Sequence, residues 1–387
     1  MTKQNEIIKA VIEDAVKNRA SDIHLEPLES EFRIRYRIDG MLHETQSLPK
    51  EQQDSVMAML KTLAGMDADK KQAPQYGKIS MNLENKEWEL MVSILPAVHG
   101  ESAVIKVLDK SGFMLGLEDI GLLPENRKCF KKLINLSSGM ILAAGPAGSG
   151  KTTTLYAALS HINQKERKII TIEDSVECQL DGINQVQTMP QSDFTFTSGL
   201  RSMLIQSPDI IMVGGINEPE TAEVSIRLAV TGYLVFSAIH ANNAAEAVVR
   251  LLNMGIKPYL AASAVQGVLA QRLVRTICPS CREPHNPSKE EISELSLTAG
   301  ESEHLELYKG KGCSACNNTG FKGRMAVHEL LIMNDSLRES VLKGASGSVL
   351  YNKAKECGMV TLKEDGMKKV KRGYTTIGEI LRVVKNV

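Results

Sequence analysis

Eight consecutive residues, Gly145-Pro146-Ala147-Gly148-Ser149-Gly150-Lys151-Thr152, have the spacing G-x-x-x-x-G-K-[ST]. Glycines at those places let successive backbone N–H groups turn inward around phosphate oxygens. Lys151 would then reach the β- and γ-phosphates of ATP, and Thr152 would ligate Mg²⁺, with Thr153 next in the same turn. A helix opening near Gly150 would add the positive end of its dipole. The competing reading is a plain glycine-rich turn. It has to account for the apolar run Met140–Ala144 directly before the loop and the helix-forming Thr152–Leu159 directly after it.

Four further places carry reactive side chains. Ser207-Pro208-Asp209-Ile210-Ile211-Met212-Val213-Gly214 reads as a second buried strand, whose end is where a P-loop protein usually puts a carboxylate that steadies Mg²⁺ through water. Here Gly214-Gly215-Ile216-Asn217 follows, and the next acids are Glu218 and Glu220, so a strand with no catalytic role at its tip is the alternative. Thr171-Ile172-Glu173-Asp174-Ser175-Val176-Glu177 also ends an apolar run in acids, one of which could orient or deprotonate a water. Acidic strand-end loops are common on surfaces, so that signal is weak alone. His240 closes the run Leu234–Ile239, and His24 lies in Ser21–Pro27; a histidine in such a place is more often packed or capping than catalytic. Cys278-x-x-Cys281 and Cys313-x-x-Cys316 are the spacing of a closed structural zinc site with four thiolates, the alternative being two unrelated pairs. Cys129, Cys178 and Cys357 are scattered and read as inert thiols.

The elements that would hold these residues fall into two stretches. Ile7, Ile8, Val11, Ile12, Ala15 and Val16 recur at helical spacing. Strand-like runs follow at Glu31–Ile38, Gly77–Leu83, Glu87–Leu95 and Ala103–Leu108, with a helix expected over Lys50–Ala64. This describes a small α+β domain over 1–110, followed by a glycine- and proline-containing linker at 111–125. From Met140 short apolar runs alternate with helical ones: Met140–Ala144, Lys168–Ile172, Asp209–Val213 and Leu234–Ile239. Strands buried on both faces look like this, so a parallel α/β sheet is expected within a second domain over 126–387. That domain would hold the cysteine segment 278–316, with Pro284–Gly300 inserted between the pairs, and a C-terminal stretch 325–387 read mainly as helices. The run Lys368-Lys369-Val370-Lys371-Arg372 reads as a solvated helix face.

Composition sets the outer bounds. With 46 basic and 46 acidic residues, there is no global positive field to hold nucleic acid or anionic lipid. One Trp, eight Tyr and seven Phe are too few for a protein that stacks bases. No apolar run approaches the ~20 residues of a membrane helix, and the start Met1–Glu6 has no signal-peptide core, so a soluble cytosolic protein without membrane insertion is expected.

In this order the motifs resemble one family, the secretion ATPases that drive type II secretion and type IV pilus assembly, over essentially the whole chain. Ser21-Asp22-Ile23-His24-Leu25-Glu26-Pro27 and Arg33-Ile34-Arg35-Tyr36-Arg37-Ile38-Asp39-Gly40 are similar to its N-terminal-domain signatures. Thr171–Glu177 is similar to its Asp box, Thr231–Asn243 to its His box, and Gln271-Arg272-Leu273-Val274-Arg275 to the segment leading into its four cysteines. The resemblance implies a RecA-like P-loop core in a homo-hexameric ring, on the cytoplasmic side of the inner membrane and peripheral to it, working with inner-membrane platform proteins and not with nucleic acid. The cofactors it implies are ATP, Mg²⁺ and Zn²⁺. One subunit's N-terminal domain, with Arg35 and Arg37, would close over nucleotide bound by another. Glu173 would act on the water, and His240 would sit near the phosphates. Longer members carry an additional N-terminal docking domain of which this sequence shows no counterpart, so the membrane tether is not assigned.

Several family positions are occupied differently. Gly-Glu-Ile-Arg of the family is Gly214-Gly215-Ile216-Asn217 here, and Ile205 and Ser207 stand where arginine and aspartate are expected. Tyr233 and Asn243 replace the histidine and aspartate at the two ends of the His box, and Met91 replaces an arginine. Each charge lost from a water-poor phosphate site removes stabilisation of the transition state. The expectation is therefore intact nucleotide binding with slow hydrolysis, or, as the alternative, an ATP-binding subunit that supports an active paralogue. A DNA-translocating conjugation ATPase is a third class, which the balanced charge and scarce aromatics disfavour.

Overall fold

A computed structural model of the chain describes residues 3–83, 86–108, 115–188, 194–294 and 306–384. They form two compact units, Met1–Ser111 and Gly112–Val387. The expected linker start (111–114) and the end of the expected insertion (295–300) lie outside the described residues.

The first unit is a six-stranded antiparallel sheet with helices on one face. Its strands are β1 (Ala20–Pro27), β2 (Glu31–Ile38), β3 (Met41–Pro49), β4 (Gln75–Leu83), β5 (Lys86–Ala97) and β6 (Gly100–Leu108), in the order β3-β2-β1-β6-β5-β4. The period-2 alternation of a half-buried sheet is plain in β1 and β2. Ile23, Leu25, Phe32, Ile34 and Tyr36 are buried against the helices Lys3–Lys17 and Gln53–Leu63. Asp22, His24, Glu26, Arg33, Arg35 and Arg37 alternate with them and are only half-buried. The hairpin between β2 and β3 turns on Asp39 and Gly40, both at positive φ (49° and 86°), the two-residue turn that Asp-Gly favours. Strands β1 and β3 were not expected. Their charged and polar residues dilute the apolar signal on which a strand is read.

The second unit has strands β7 (Gly139–Ala144), β8 (Ile169–Glu173), β9 (Asn184–Gln187), β10 (Ile210–Val213), β11 (Leu234–Ile239), β12 (Val265–Ile277), β13 (Arg282–His285), β14 (Leu307–Gly310) and β15 (Phe321–Ile332). Strands β13 and β14 pair as a separate ribbon, and the others form a seven-stranded sheet of order β15-β12-β7-β11-β10-β8-β9. All neighbours are parallel except β12 and β15. Every residue of β7, β10 and β11 is buried. In β7, Met140, Leu142 and Ala144 face one apolar core while Ile141 and Ala143 face another, so the sheet is covered on both sides. The chain is thus a mixed α/β protein, as expected.

Three expectations need correction. The stretch 325–387 is not helical from its start: Met325–Ile332 completes β15, antiparallel to β12, before four helices follow. Polar residues inside these strands (Gln271, Arg272, His328, Glu329) hid them from a search for apolar runs. Within the expected linker, Leu117, Ile120, Leu122 and Leu123 are buried, three of them in the second unit's core, so this half is packed. Finally, the basic run 368–372 is not wholly solvated. Lys369 is 2% exposed and bonded to Asp365 and the Ala326 carbonyl, each at 2.6 Å, while Lys368, Lys371 and Arg372 face outward.

Candidate functional site

The loop 145–152 leaves the C-terminal end of β7 and enters the helix Lys151–Ile162. Gly145, Gly148 and Gly150 all have positive φ. A Cβ on Gly145 would lie 2.4 Å from Ser149 Oγ and 2.7 Å from the Gln271 carbonyl oxygen, so only glycine fits there. Gly150 is the left-handed residue that starts the helix. Ser149 is 3% exposed and its Oγ has no partner among the described residues, an orphaned polar atom of the kind a phosphate oxygen satisfies. Lys151 Nζ donates to the carbonyls of Gly145 (2.9 Å) and Pro146 (2.8 Å). Burial, then the nearby Arg272 charge, push the Lys151 pKa down to about 8, with Glu177 opposing them. Thr152 and Thr153 are half-buried in the first helical turn, where Mg²⁺ and the phosphates would be within reach. The donor set suits Mg·ATP: a lysine, two hydroxyls and a dipole end, converging on a glycine-lined turn.

His240 follows β11, which pairs with β7 up to Ile239 and Ala144, so the histidine and the loop leave neighbouring strands at the same level. Burial, then Lys151 and Arg250, lower the His240 pKa, which keeps the imidazole neutral at pH 7. Its carbonyl accepts from Arg250 Nη1 (2.8 Å), and Asn243 caps the following helix through Glu246 N (2.8 Å). Asn243 is thus the N-cap of the helix Ala244–Asn253.

Glu173 ends β8 but is 3% exposed. One carboxylate oxygen accepts from Thr171 Oγ1 (2.6 Å) and Gln185 Nε2 (3.3 Å), the other from the Tyr156 hydroxyl. Those donors come from β8, β9 and the helix Lys151–Ile162, so the carboxylate bolts three elements together. Asp174 is less enclosed, and burial, then Glu218, raise its pKa. Gly215 follows β10. A Cβ there would meet the Asn217 amide, Nδ2 at 3.3 Å and Cγ at 3.9 Å, a tight contact that a small shift of that side chain relieves. Ile205 is 83% exposed.

In the first unit, Arg35 forms a two-pronged pair with Glu26 (2.5 and 3.0 Å), which Arg33 shares. Arg37 donates to the Gly40 carbonyl and lies 3.7 Å from Asp22. Two residues that sequence reasoning did not place in the site stand beside the loop. Gln271 Nε2 donates to the Ser149 carbonyl (2.7 Å), its Oε1 accepts from Thr154 Oγ1 (2.8 Å), and Arg272 is the next residue. The available signal was a glutamine and an arginine set within an apolar run.

The four paired cysteines form a second site. Their Sγ atoms all lie within 4.8 Å of one another: Cys278 to Cys313 is 3.9 Å, Cys281 to Cys316 is 3.8 Å and Cys313 to Cys316 is 3.7 Å. Zn–S bonds of ~2.3 Å in a tetrahedron place sulfurs about 3.8 Å apart, so the set fits zinc. With four thiolates the site has no open position for chemistry. Cys129 is half-buried, Cys178 is buried and Cys357 is exposed.

Comparison with known proteins agrees with the geometry. The family model described as "Type II/IV secretion system protein" matches residues 2–382. The type II secretion system ATPase E of Vibrio cholerae is 41% identical over 379 residues, 98% of this chain and 75% of that protein. The type IV pilus assembly ATPase PilB of Myxococcus xanthus is 40% identical over 377 residues, 97% of this chain and 67% of that protein. Among solved structures, the Legionella pneumophila ATPase DotB superposes with TM-score 0.71 at 17% identity, covering 98% of this chain and 96% of that one. The pilus retraction motor PilT with bound ADP gives 0.65 at 22%, covering 96% and 95%. These two show the fold alone. With a family match across nearly the full length and relatives near 40% identity, the chain belongs to the type II/IV secretion system protein family.

Proposed function

We propose that this protein is a RecA-like P-loop ATPase subunit that powers type II secretion or type IV pilus assembly. It binds Mg·ATP at Gly145–Thr152 and hydrolyses it slowly in isolation. The observation that carries the reading is the loop itself. Three positive-φ glycines, a lysine against the carbonyls of Gly145 and Pro146 and an orphaned Ser149 hydroxyl converge at the end of a fully buried parallel strand. Mg²⁺ supplies charge neutralisation between the phosphates when bound, and Thr152 is the residue to hold it. Lys151 binds phosphate, and His240 senses or contacts it. Arg35 and Arg37 are assigned to nucleotide held by a neighbouring subunit of a homo-hexamer at the cytoplasmic face of an inner membrane, alongside platform proteins. In keeping with a peripheral role, no helix among the described residues is long and apolar enough to cross a membrane. Zinc at Cys278, Cys281, Cys313 and Cys316 folds the segment it clips.

Slow hydrolysis rests on two positions. Gly215 offers no carboxylate where Mg²⁺ is usually steadied, and Glu173 is held by three donors within its own scaffold. The same two observations favour the second reading, a nucleotide-binding subunit that stabilises assembly with an active paralogue. Calorimetric titration of Mg·ATP tests the common ground: wild type binds, and Lys151→Ala binds at least tenfold more weakly, a charge-assisted contact being lost. Equal affinities would refute the nucleotide site.

A further inference from the structure

Three lysines and arginines are buried among the described residues: Lys61, Lys369 and Arg272. Lys61 lies 2.6 Å from Glu101, and Lys369 lies 2.6 Å from Asp365. Arg272, 7% exposed, has no such ion pair among the described residues; the bonds its guanidinium makes to them are to backbone carbonyls, Gln271 O at 3.1 Å through Nη1 and Asn242 O at 2.7 Å through Nη2. Two acids, Glu329 and Glu246, attract it from further off, each held by backbone amides. Glu329 accepts from the amides of Ala244 and Leu362, and Glu246 accepts from the amide of Asn242. A buried guanidinium with no carboxylate in contact is costly to folding, and the distant acids offset that only in part. Its two carbonyl bonds join β12 to the loop of His240, which a neutral donor could do as well; they give no reason for a charge.

Its position supplies one. Strand β12 pairs with β7 up to Ala270 and Ala144 and then runs on past the end of β7, so Gln271 and Arg272 flank the phosphate loop. The Gln271 carbonyl that accepts from Arg272 is the atom that a Cβ on Gly145 would strike at 2.7 Å. Asn242 belongs to the loop that carries His240. The guanidinium therefore lies between the two loops, next to a lysine whose proton it destabilises. Two cations held close together, and only partly offset by Glu177, Glu246 and Glu329, are a receptor for an anion.

We propose that Arg272 is a second cation of the polyphosphate site, supplied by the same chain, which engages the terminal phosphates of a nucleoside triphosphate together with Lys151. The inference rests on the reading of 145–152 as a nucleotide site. A guanidinium presents parallel N–H donors matched to phosphate oxygens. Arg272 thus provides charge within a site where Asn217 and Ile205 provide none, and a phosphate bound to it is tied to both loops at once.

The test is calorimetric titration of Mg·ATP and Mg·ADP into wild type, Arg272→Gln, Arg272→Lys and Lys151→Ala, each checked for folding by circular dichroism. Arg272→Gln is expected to weaken ATP by about 10–100-fold and ADP by much less, with Arg272→Lys recovering most of the loss. Equal affinity of wild type and Arg272→Gln for ATP, or an equal loss for ATP and ADP, would overturn the proposal. Lys151→Ala reports separately on the underlying site: if that variant binds ATP as wild type does, it is the nucleotide reading that fails. Should Arg272→Gln not fold, the wild-type structure with Mg²⁺ and a non-hydrolysable ATP analogue decides. A guanidinium nitrogen within 4 Å of a terminal phosphate oxygen supports the assignment, and a guanidinium bonded only to carbonyls contradicts it.

Discussion

Lys151 can grip phosphate only while it is protonated, and its surroundings bring that condition into the working pH range. With its pKa pushed down to about 8, the lysine is mostly charged at pH 7 and mostly neutral at pH 9. Bound phosphate favours the charged form and raises that pKa. ATP affinity should therefore be flat below about pH 7 and fall above pH 8, by up to about tenfold per pH unit. Titrations at several pH values check this; affinity that rises with pH would contradict it. Gly215 is the other decisive residue. Since a Cβ there meets only a flexible asparagine amide, Gly215→Glu should be accommodated and should raise turnover at least several-fold. A single electrostatic contact of this kind is worth ~10²–10³ in rate. No gain would move the defect to Asn217, Ile205 or Met91. Glu173 illustrates what a sequence leaves out. Its position at a strand end was readable, but its donors Tyr156 and Gln185 come from other elements, and nothing local announced that its oxygens would be taken.

At the scale of elements, legibility followed burial. Strands β7, β10 and β11 are apolar throughout because both faces are covered, so they and the loop after β7 stood out. Strands β12 and β15 carry Gln271, Arg272, His328 and Glu329 because they border the phosphate loop and buried polar contacts, and the same residues disguised them. The four cysteines were readable from spacing alone, since ligand geometry fixes it. If zinc clips their segment as proposed, prolonged chelation, or Cys278→Ser, should loosen 278–316 and lower thermal stability, while wild type retains close to one zinc per chain. Metal analysis and thermal melts read both; well under one zinc in reduced protein would contradict it. Removing the cap of the helix after the His240 loop, Asn243→Ala, should cost about 1 kcal/mol, seen as a lower urea midpoint.

For the whole molecule, the proposed function divides the labour between two units: a phosphate loop in the second, and an arginine-bearing sheet face in the first. That division makes sense for a ring whose subunits complete one another, and Mg·ATP should promote assembly toward a hexamer in sedimentation experiments. The account's central claim is a site that binds ATP well and hydrolyses it poorly. It is tested most directly by steady-state ATP turnover of purified wild type beside Gly215→Glu, with Lys151→Ala as background. The prediction is wild-type turnover above that background but well below ~1 s⁻¹, the low end for ordinary enzymes, with a several-fold or greater rise in Gly215→Glu. Wild-type turnover of ~1 s⁻¹ or more in isolation, or turnover no greater than that of Lys151→Ala, would contradict it.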